Sequence, residues 1–162
     1  MTWGSILSCG AALAALIGAE APAHANARIT GLTDVSFGTI NSPTDQSISQ
    51  SVCVYSAQGF FNPLGYSVRA TGSGGGGAFT LSSGATTLPY EVLWADSPNQ
   101  TGGTSLMAGA QSPGYGNSAL FQTCFLQPQG SASLTVTIRA AQIAAAAAGN
   151  YSGVLQITIV PD

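Results

Sequence analysis

The chain contains no lysine and very few charges of either sign. Of its 162 residues, 3 are Lys or Arg, 6 are Asp or Glu, and the charged fraction is 6%. So few cations cannot form the basic surface that binds a phosphate backbone, so nucleic acid is excluded as a partner. A surface with little charge also suits an independently soluble monomer poorly, which favours a protein that packs against other chains.

The chain also lacks an apolar run long enough to cross a membrane. The stretch 6–19 is interrupted by glycines and falls short of the ~20 apolar residues that a spanning helix needs, which argues against a membrane anchor. Residues 23–25 then read Ala-His-Ala, the small-x-small pattern of a secretory cleavage site. We therefore expect a signal peptide over residues 1–25 that includes Cys9, with cleavage after Ala25.

Residues that carry enzyme chemistry are scarce in the remaining chain. The one histidine, His24, belongs to the expected signal peptide, so neither a Ser-His-Asp nor a Cys-His arrangement is available. Glu91 and Asp96 lie close together in sequence, but alternation along a strand places them on opposite faces, and we interpret both as solvated surface acids. The other acids are too scattered to hold a metal ion. We expect no enzyme activity, no cofactor and no metal site.

Two cysteines, Cys53 and Cys124, remain outside the expected signal peptide. An even pair of cysteines in an exported chain indicates one disulfide, and the alternative is two free buried thiols. A bridge across so long a loop would stabilise the fold by about 4 kcal/mol in the chain-entropy model.

The chain is rich in strict alternation between apolar and polar residues, seen at 66–71, 90–95, 134–139 and 155–159. This period is typical of half-buried strands in an antiparallel sheet. The predicted strands lie near residues 29–40, 47–56, 64–71, 77–83, 87–95, 118–126, 131–139 and 151–160. The Ala-rich stretch 140–149 is predicted to form a short helical turn that ends at Gly149. Short strands separated by Gly and Pro turns predict an all-β sandwich, formed as one domain by residues 26–162.

The last predicted strand carries the candidate site. Tyr151 opens it, and a tyrosine at such a place is similar to the tyrosine corner of immunoglobulin-like sandwiches, whose hydroxyl bonds back to the preceding connection. Leu155, Ile157 and Ile159 follow on one face of the strand. An apolar edge strand with no later strand beside it is an aggregation hazard, so we expect another chain to cover it.

Four segments in order resemble the spore coat protein U family, the pilin-like domain of archaic chaperone–usher fimbriae. They are LTDVSFGTI (32–40), SVCVYS followed by GYSVRATG (51–56 and 65–72), LPYEVLWAD (88–96) and AGNYSGVLQITIVPD (148–162). Together they span nearly the whole chain that follows the expected signal peptide.

The resemblance implies an immunoglobulin-like fold that lacks its last strand. A periplasmic pilus chaperone supplies that strand during export, and the N-terminal extension of the neighbouring pilin subunit replaces it in the fibre, a form of β-strand addition. Leu155, Ile157 and Ile159 would then form the strand-acceptor edge. The implied partners also include an outer-membrane usher, and the implied location is the periplasm in transit, then a fimbria on the cell surface.

The chain differs from the family in two respects. Family members carry a cysteine near the start of the first strand, whereas residues 26–32 contain none, so that Cys53 is left to pair with Cys124. Few residues precede Ile29 after the expected cleavage, so the chain can accept a strand but can give one only if residues 27–32 serve as the donor.

The expected function is therefore a structural subunit of a surface fimbria or coat, assembled by donor-strand complementation through a chaperone–usher pathway. The alternative is a self-contained secreted β-sandwich that binds a glycan or a surface. Its candidate binding residues are the aromatic side chains Phe60, Phe61, Trp94 and Tyr115.

Overall fold

A computed structural model describes residues 25–41, 43–59, 62–126 and 130–162. The predictions made for the signal peptide up to His24, and those for Phe60 and Phe61, concern residues outside these ranges. The longest α-helix within them has six residues, and no helix of the described chain is long and apolar enough to cross a membrane.

The described residues form nine strands and one α-helix. In chain order the strands are β1 (Ala25–Thr30), β2 (Gln46–Gln58), β3 (Tyr66–Gly72), β4 (Thr80–Ser83), β5 (Thr86–Pro89), β6 (Glu91–Ala95), β7 (Thr104–Ser105), β8 (Ala132–Ile138) and β9 (Leu155–Pro161). Helix α1 (Ala140–Ala145) connects β8 to β9. It begins where the short helical turn was predicted and ends before Gly149.

The strands form a five-stranded sheet in the order β1-β2-β8-β6-β7, a second sheet made of β3 and β9, and the hairpin β4-β5. All of the strand pairs are antiparallel. Inward-facing residues of the five-stranded sheet pack with those of β3 in one core, where Val54, Val68, Val92 and Trp94 have no exposed surface. The predicted all-β antiparallel sandwich is confirmed.

The predicted strand 118–126 is wrong. These residues form a loop that lies along β2 and shares with it a single isolated bridge, between Tyr55 and Ala119. Cys124 has a positive φ of 51°, which a continuous strand does not allow. Cys124 is buried by contact with Cys53 and Ala119 rather than by a place in a sheet. The alternation of buried and exposed residues in this stretch therefore does not indicate a strand.

The predicted strand 29–40 is wrong in its extent. Pairing with β2 covers residues 25–30 and ends at Gly31, whose positive φ of 82° turns the chain away from β2. Residues 31–40 are not in a strand. The side chains kept their strand-like alternation, but the backbone has no described partner in the sheet.

The predicted strand 87–95 divides at Tyr90. Residues 86–89 pair with β4, whereas residues 91–95 pair with β8, so one alternating run serves two sheets. The two-residue strand β7 was not predicted at all, because its ladder with β6 is too short to leave a pattern. Strand β8 is buried on both faces, including Thr135 and Thr137, since it lies at the centre of its sheet.

Candidate functional site

Strand β9 carries three apolar side chains on its inner face, as predicted. Leu155, Ile157 and Ile159 are half-buried and pack against the core, while Gln156 and Thr158 are exposed. The strand begins four residues later than predicted because the preceding chain is held by β4, where the backbones of Ser82 and Ser152 exchange hydrogen bonds of 2.8 and 3.0 Å.

The hydrogen bonds on the outer edge of β3 show which way the backbone of β9 points. Tyr66 exchanges backbone bonds of 2.9 and 2.7 Å with Tyr115, and the carbonyls of Val68 and Ala70 accept from Ser112 and Gly109 at 2.9 and 2.7 Å. Tyr66, Val68 and Ala70 therefore direct their N–H and C=O groups away from β9. Along a strand these groups point alternately to the two edges, so the residues between them bond to β9.

The register of the pair transfers this alternation to β9. Val68 lies opposite Ile159 and Ala70 lies opposite Ile157, so these two residues of β9 also direct their backbone groups away from β3. Leu155 has the same parity. The three residues whose side chains face the core are thus the same three that present N–H and C=O groups at the outer edge of β9.

This outer edge pairs with no other strand of the described chain, since β9 is bonded to β3 alone. Pro161 shares the parity of Ile159, so its missing N–H costs nothing in the ladder with β3 and limits any further ladder at that end. At the other end the N–H of Val154, which has the opposite parity, points to the β3 side and donates to Ser73 Oγ at 3.1 Å. The groups at the free edge of β9 are therefore those of Leu155, Ile157 and Ile159.

Strand β1 also lies close to β9. Cα atoms of the two strands approach within 8 Å, yet no backbone pairing joins them in the described chain. One edge of β1 is bonded to β2, with Ile29 opposite Val54. Residues 27–30 of the predicted donor segment 27–32 are thus already paired with β2 inside the fold.

A segment without a described backbone partner follows β1, and Gly38 interrupts it with a positive φ of 60°. We call residues 34–41 the unpaired segment, because none of their backbone groups bonds to another residue that the structure describes. Its apolar side chains Val35, Phe37 and Ile40 are half-buried against the core. Just before it, the side chain of Gln50 holds Thr33 by its backbone N–H and its carbonyl, at 2.8 and 3.1 Å.

Tyr151 fixes the entry to β9. Its hydroxyl donates to the carbonyl of Ala147 at 2.9 Å and lies 3.3 Å from Thr86 Oγ1. The bond reaches back to the connection between β8 and β9, so the tyrosine ties the chain that follows α1 to the start of the last strand. Tyr151 itself is half-buried and packs against the core.

The predicted disulfide between Cys53 and Cys124 is present, with Cα atoms 5.7 Å apart. It fastens the loop 118–126 to β2, and the N–H of Ala119 reinforces this by donating to the carbonyl of Val54 at 2.7 Å. On the other side of Cys53, Thr30 of β1 lies opposite it in the sheet.

Asp96 is not the solvated surface acid that the sequence indicated. Its carboxylate accepts from the hydroxyl of Tyr66 at 3.0 Å and from the N–H groups of Gly116 and Asn117 at 2.9 and 3.0 Å. Burial is the main cause that raises the pKa of the Tyr66 phenol, so this hydroxyl stays a donor. Asp96 thus anchors Gly116 and Asn117, which directly follow the residues that bond to the outer edge of β3. Asp96 belongs to no sequence motif for catalysis.

Glu91 takes part in an ion-pair cluster on the main sheet. Arg139 donates from Nε to Glu91 at 2.9 Å and pairs with Asp45 at 2.9 Å, and Asp45 also accepts from the N–H of Ala140 at 2.7 Å. These bonds join the beginnings of β2 and β6 to the end of β8. Within the described ranges, no three His, Cys, Asp or Glu side chains come together as a metal site requires.

The alternative function predicted an aromatic binding surface that includes Trp94, and this prediction is wrong for Trp94. This side chain is fully buried and meets the ring of Tyr66 edge-on, with centroids 6.4 Å apart. Tyr115 is half-buried beside the same ring at 5.5 Å. Both residues belong to the packing of the sandwich, and Phe60 and Phe61 lie outside the described residues.

No protein-family model and no curated protein sequence matches this chain. Among solved structures, the chain is similar to one from a chaperone–tip adhesin complex that is vital for synergistic activation of CFA/I fimbriae biogenesis, at 17% identity and a TM-score of 0.49. It is also similar to one from the CsuC–CsuE chaperone–tip adhesion subunit pre-assembly complex of the archaic chaperone-usher Csu pili of Acinetobacter baumannii, at 18% identity and a TM-score of 0.44. Each similarity covers 85% of this chain but only 43% and 40% of the other, so this chain spans less than half the length of either.

Proposed function

We propose that the chain is a structural subunit of a surface fimbria or coat that accepts a β-strand from another protein along β9. The observation that carries this proposal is the coincidence at Leu155, Ile157 and Ile159. Each of them combines an incompletely buried apolar side chain with backbone groups that meet no strand of the described chain.

An added strand would satisfy both needs at once. Its backbone would bond to the N–H and C=O groups of β9, and alternate side chains would cover the three apolar residues. Hydrophobic burial stabilises by roughly 25 cal/mol per Å² of apolar surface removed from water, so even a short inserted strand gains several kcal/mol. The unpaired segment supports the proposal, because its apolar side chains face the core while its backbone groups have no bonded neighbour in the described chain.

The sequence motifs support a particular class of donor. The four segments that resemble spore coat protein U subunits imply a periplasmic pilus chaperone as the first donor and a neighbouring pilin subunit as the second, with an usher between the two. The disulfide suits passage through an oxidising compartment such as the periplasm. In this proposal the final location of the mature protein is a fimbria at the cell surface.

We also propose that the chain has no catalytic activity and needs no cofactor. Asp96, Glu91 and Asp45 are engaged in bonds that hold segments of the fold together. A general acid or base needs a position from which it reaches a substrate proton, whereas these three acids accept hydrogen bonds from groups of the fold itself.

The test extends the full chain after Asp162 by a short Gly-rich turn and a strand of alternating Val and Thr, which can fold back along the free edge of β9 as a hairpin. We expect the extension to raise the thermal unfolding temperature of the exported protein. An extension of equal length with Ser in place of Val is the control and should have little effect. Equal unfolding temperatures for both extensions and the unextended chain would overturn the proposal.

A pair of proline variants locates the effect on one edge. Ile157→Pro removes an N–H that points to the free edge, so the unextended chain should fold and the gain from the extension should be lost. Thr158→Pro removes an N–H that bonds to β3, so this variant should fail to fold. Ile157→Ala separates the lost side chain from the lost donor. Co-expression with a periplasmic pilus chaperone should increase the yield of the wild-type chain and not of Ile157→Pro.

A further inference from the structure

The unpaired segment has a competing partner within its own chain. The register of β1 and β2, continued past Gly31, would place Val35 opposite Ile48 and Phe37 opposite Gln46. On the β1 side, the residues of β2 up to Val52 pair with no described strand, although the same residues are bonded to β8 on the other side. The segment could therefore extend β1 and close this edge.

The direction of the β2 backbone favours such pairing. The carbonyls of Val52 and Val54 accept bonds from Ser131 and Ala119 on the β8 side. Because backbone groups alternate along a strand, the odd-numbered residues of β2 direct their N–H and C=O groups to the β1 side. Ser47 and Ser49 thus offer N–H and C=O groups towards the place that the segment would occupy. A polar cleft lined in part by Ser49, Gln50 and Ser51 opens beside this half of β2.

Two features keep the segment off β2 in the structure. Gly31 turns the chain with a positive φ of 82°. The carboxamide of Gln50 then takes the N–H, the hydroxyl and the carbonyl of Thr33, at 2.8, 2.8 and 3.1 Å. A side chain therefore satisfies the backbone of Thr33 and leaves the following residues without a bonded neighbour.

We propose that Gln50 is a positioning residue for strand addition: its carboxamide clamps Thr33 and prevents the unpaired segment from pairing with β2. The segment, whose apolar side chains pack against the same core as those of β9, then stays available to flank a strand that another protein adds at β9. This inference rests on the proposed function, since the clamp has this use only if a strand is accepted. The state that competes with the added strand is then an internal β-ladder between the unpaired segment and β2.

The test compares Gln50→Leu with Gln46→Leu. Gln46 lies on the same strand with the same parity, and within the described chain its amide bonds only to nearby Thr44. In the unextended chain, Gln50→Leu should slow amide hydrogen exchange at Ser47 and Ser49 about tenfold, because the released segment pairs with them. Gln46→Leu should leave these amides unchanged. A merely structural role of Gln50 would speed their exchange or leave it unaltered.

The extended chain gives the second readout. The gain in unfolding temperature from the Val/Thr extension should fall by about half in Gln50→Leu, since the extension competes with the internal ladder. Thr33→Val removes one of the three bonds and should have an intermediate effect, and Gly31→Ala, which strains the turn, should act in the same direction as Gln50→Leu.

The outcomes separate the two proposals. If the extension stabilises neither the wild type nor any variant, the proposed function fails. If it stabilises the wild type and Gln50→Leu equally, and the Ser47 and Ser49 amides exchange as before, strand addition stands and the role of Gln50 is overturned.

Discussion

The two edges of the β3-β9 sheet are treated in opposite ways. On the β3 side, the irregular chain 108–115 runs beside the strand and bonds to the backbones of Tyr66, Val68 and Ala70. On the β9 side, the equivalent groups of Leu155, Ile157 and Ile159 meet no described strand. The two strands have similar apolar alternation, so the difference lies in the chain beside them.

This contrast indicates that the fold has the means to cover an edge without another strand. The covering chain contains Gly109 and Pro113, and side chains replace missing ladder bonds: Ser112 Oγ accepts from the N–H of Val68 at 2.9 Å. Natural proteins generally cover or disrupt edges of this kind. An open edge in a molecule that covers its other edge so thoroughly is consistent with a binding role for β9.

The largest expected effect comes from releasing the loop 118–126, which the disulfide fastens to β2. Replacing both Cys53 and Cys124 by Ser should cost about 4 kcal/mol of unfolding free energy, because the bridge closes a loop with a sequence separation of 71. Amide exchange at Ala119 should rise, since its bond to Val54 loses the adjacent anchor. Denaturant unfolding of the oxidised protein and of the double variant measures the loss.

Cys9→Ser is the matched control for this prediction and should change neither quantity, since the cysteine belongs to the expected signal peptide. An unfolding free energy that stays the same in the double variant would show that the loop 118–126 holds its place along β2 without the bridge.

A smaller loss is expected when the cover of β3 loses its polar anchor. Asp96→Ala removes the acceptor of three hydrogen bonds and leaves the hydroxyl of Tyr66 without its carboxylate, so it should cost about 2–3 kcal/mol. Exchange should speed up at the amides of Tyr66 and Tyr115, making the covered edge resemble the open one. Glu91→Ala is the control acid and should leave these two amides unchanged. Unaltered exchange in Asp96→Ala would mean that backbone bonds alone hold the cover.

The sequence predicted the elements in which side-chain alternation and backbone pairing coincide. Strands β3, β8 and β9 were placed within a few residues, because a period of two with one buried face is a local signal. The apolar face of the candidate site, formed by Leu155, Ile157 and Ile159, was predicted for the same reason. The disulfide was predicted from the two cysteines that remain outside the expected signal peptide.

The remaining features depend on partners that are distant in sequence. Residues 34–37 alternate as a strand does, before the positive φ of 60° at Gly38, and have no described ladder. Residues 118–126 owe their burial to a disulfide rather than to a sheet. Nothing in the pattern of 108–115 indicates that it covers the edge of β3, so the sequence could not tell which edge stays open. Asp96 looked like a surface acid because its donors come from Tyr66 and from a loop some 20 residues later.

The smallest expected effect lies at Asp45, on the main sheet and away from both edges of β3-β9. The N–H of Ala140 and then Arg139 lower the pKa of this exposed carboxyl below its ordinary value of 3.8. Because the folded pKa lies below the unfolded one, Asp45 stabilises the fold above pH 3.8, and this stabilisation is lost as the pH falls through the lowered folded value. Thermal unfolding of wild type and Asp45→Asn from about pH 6 to about pH 2 should therefore show a small difference that vanishes at the acid end. The gain from the Val/Thr extension should be the same in both proteins at each pH, since no charge of this cluster lies on β9. A difference between the two proteins that persists at the lowest pH would assign the effect of the substitution to altered hydrogen bonding at α1 rather than to the charge of Asp45.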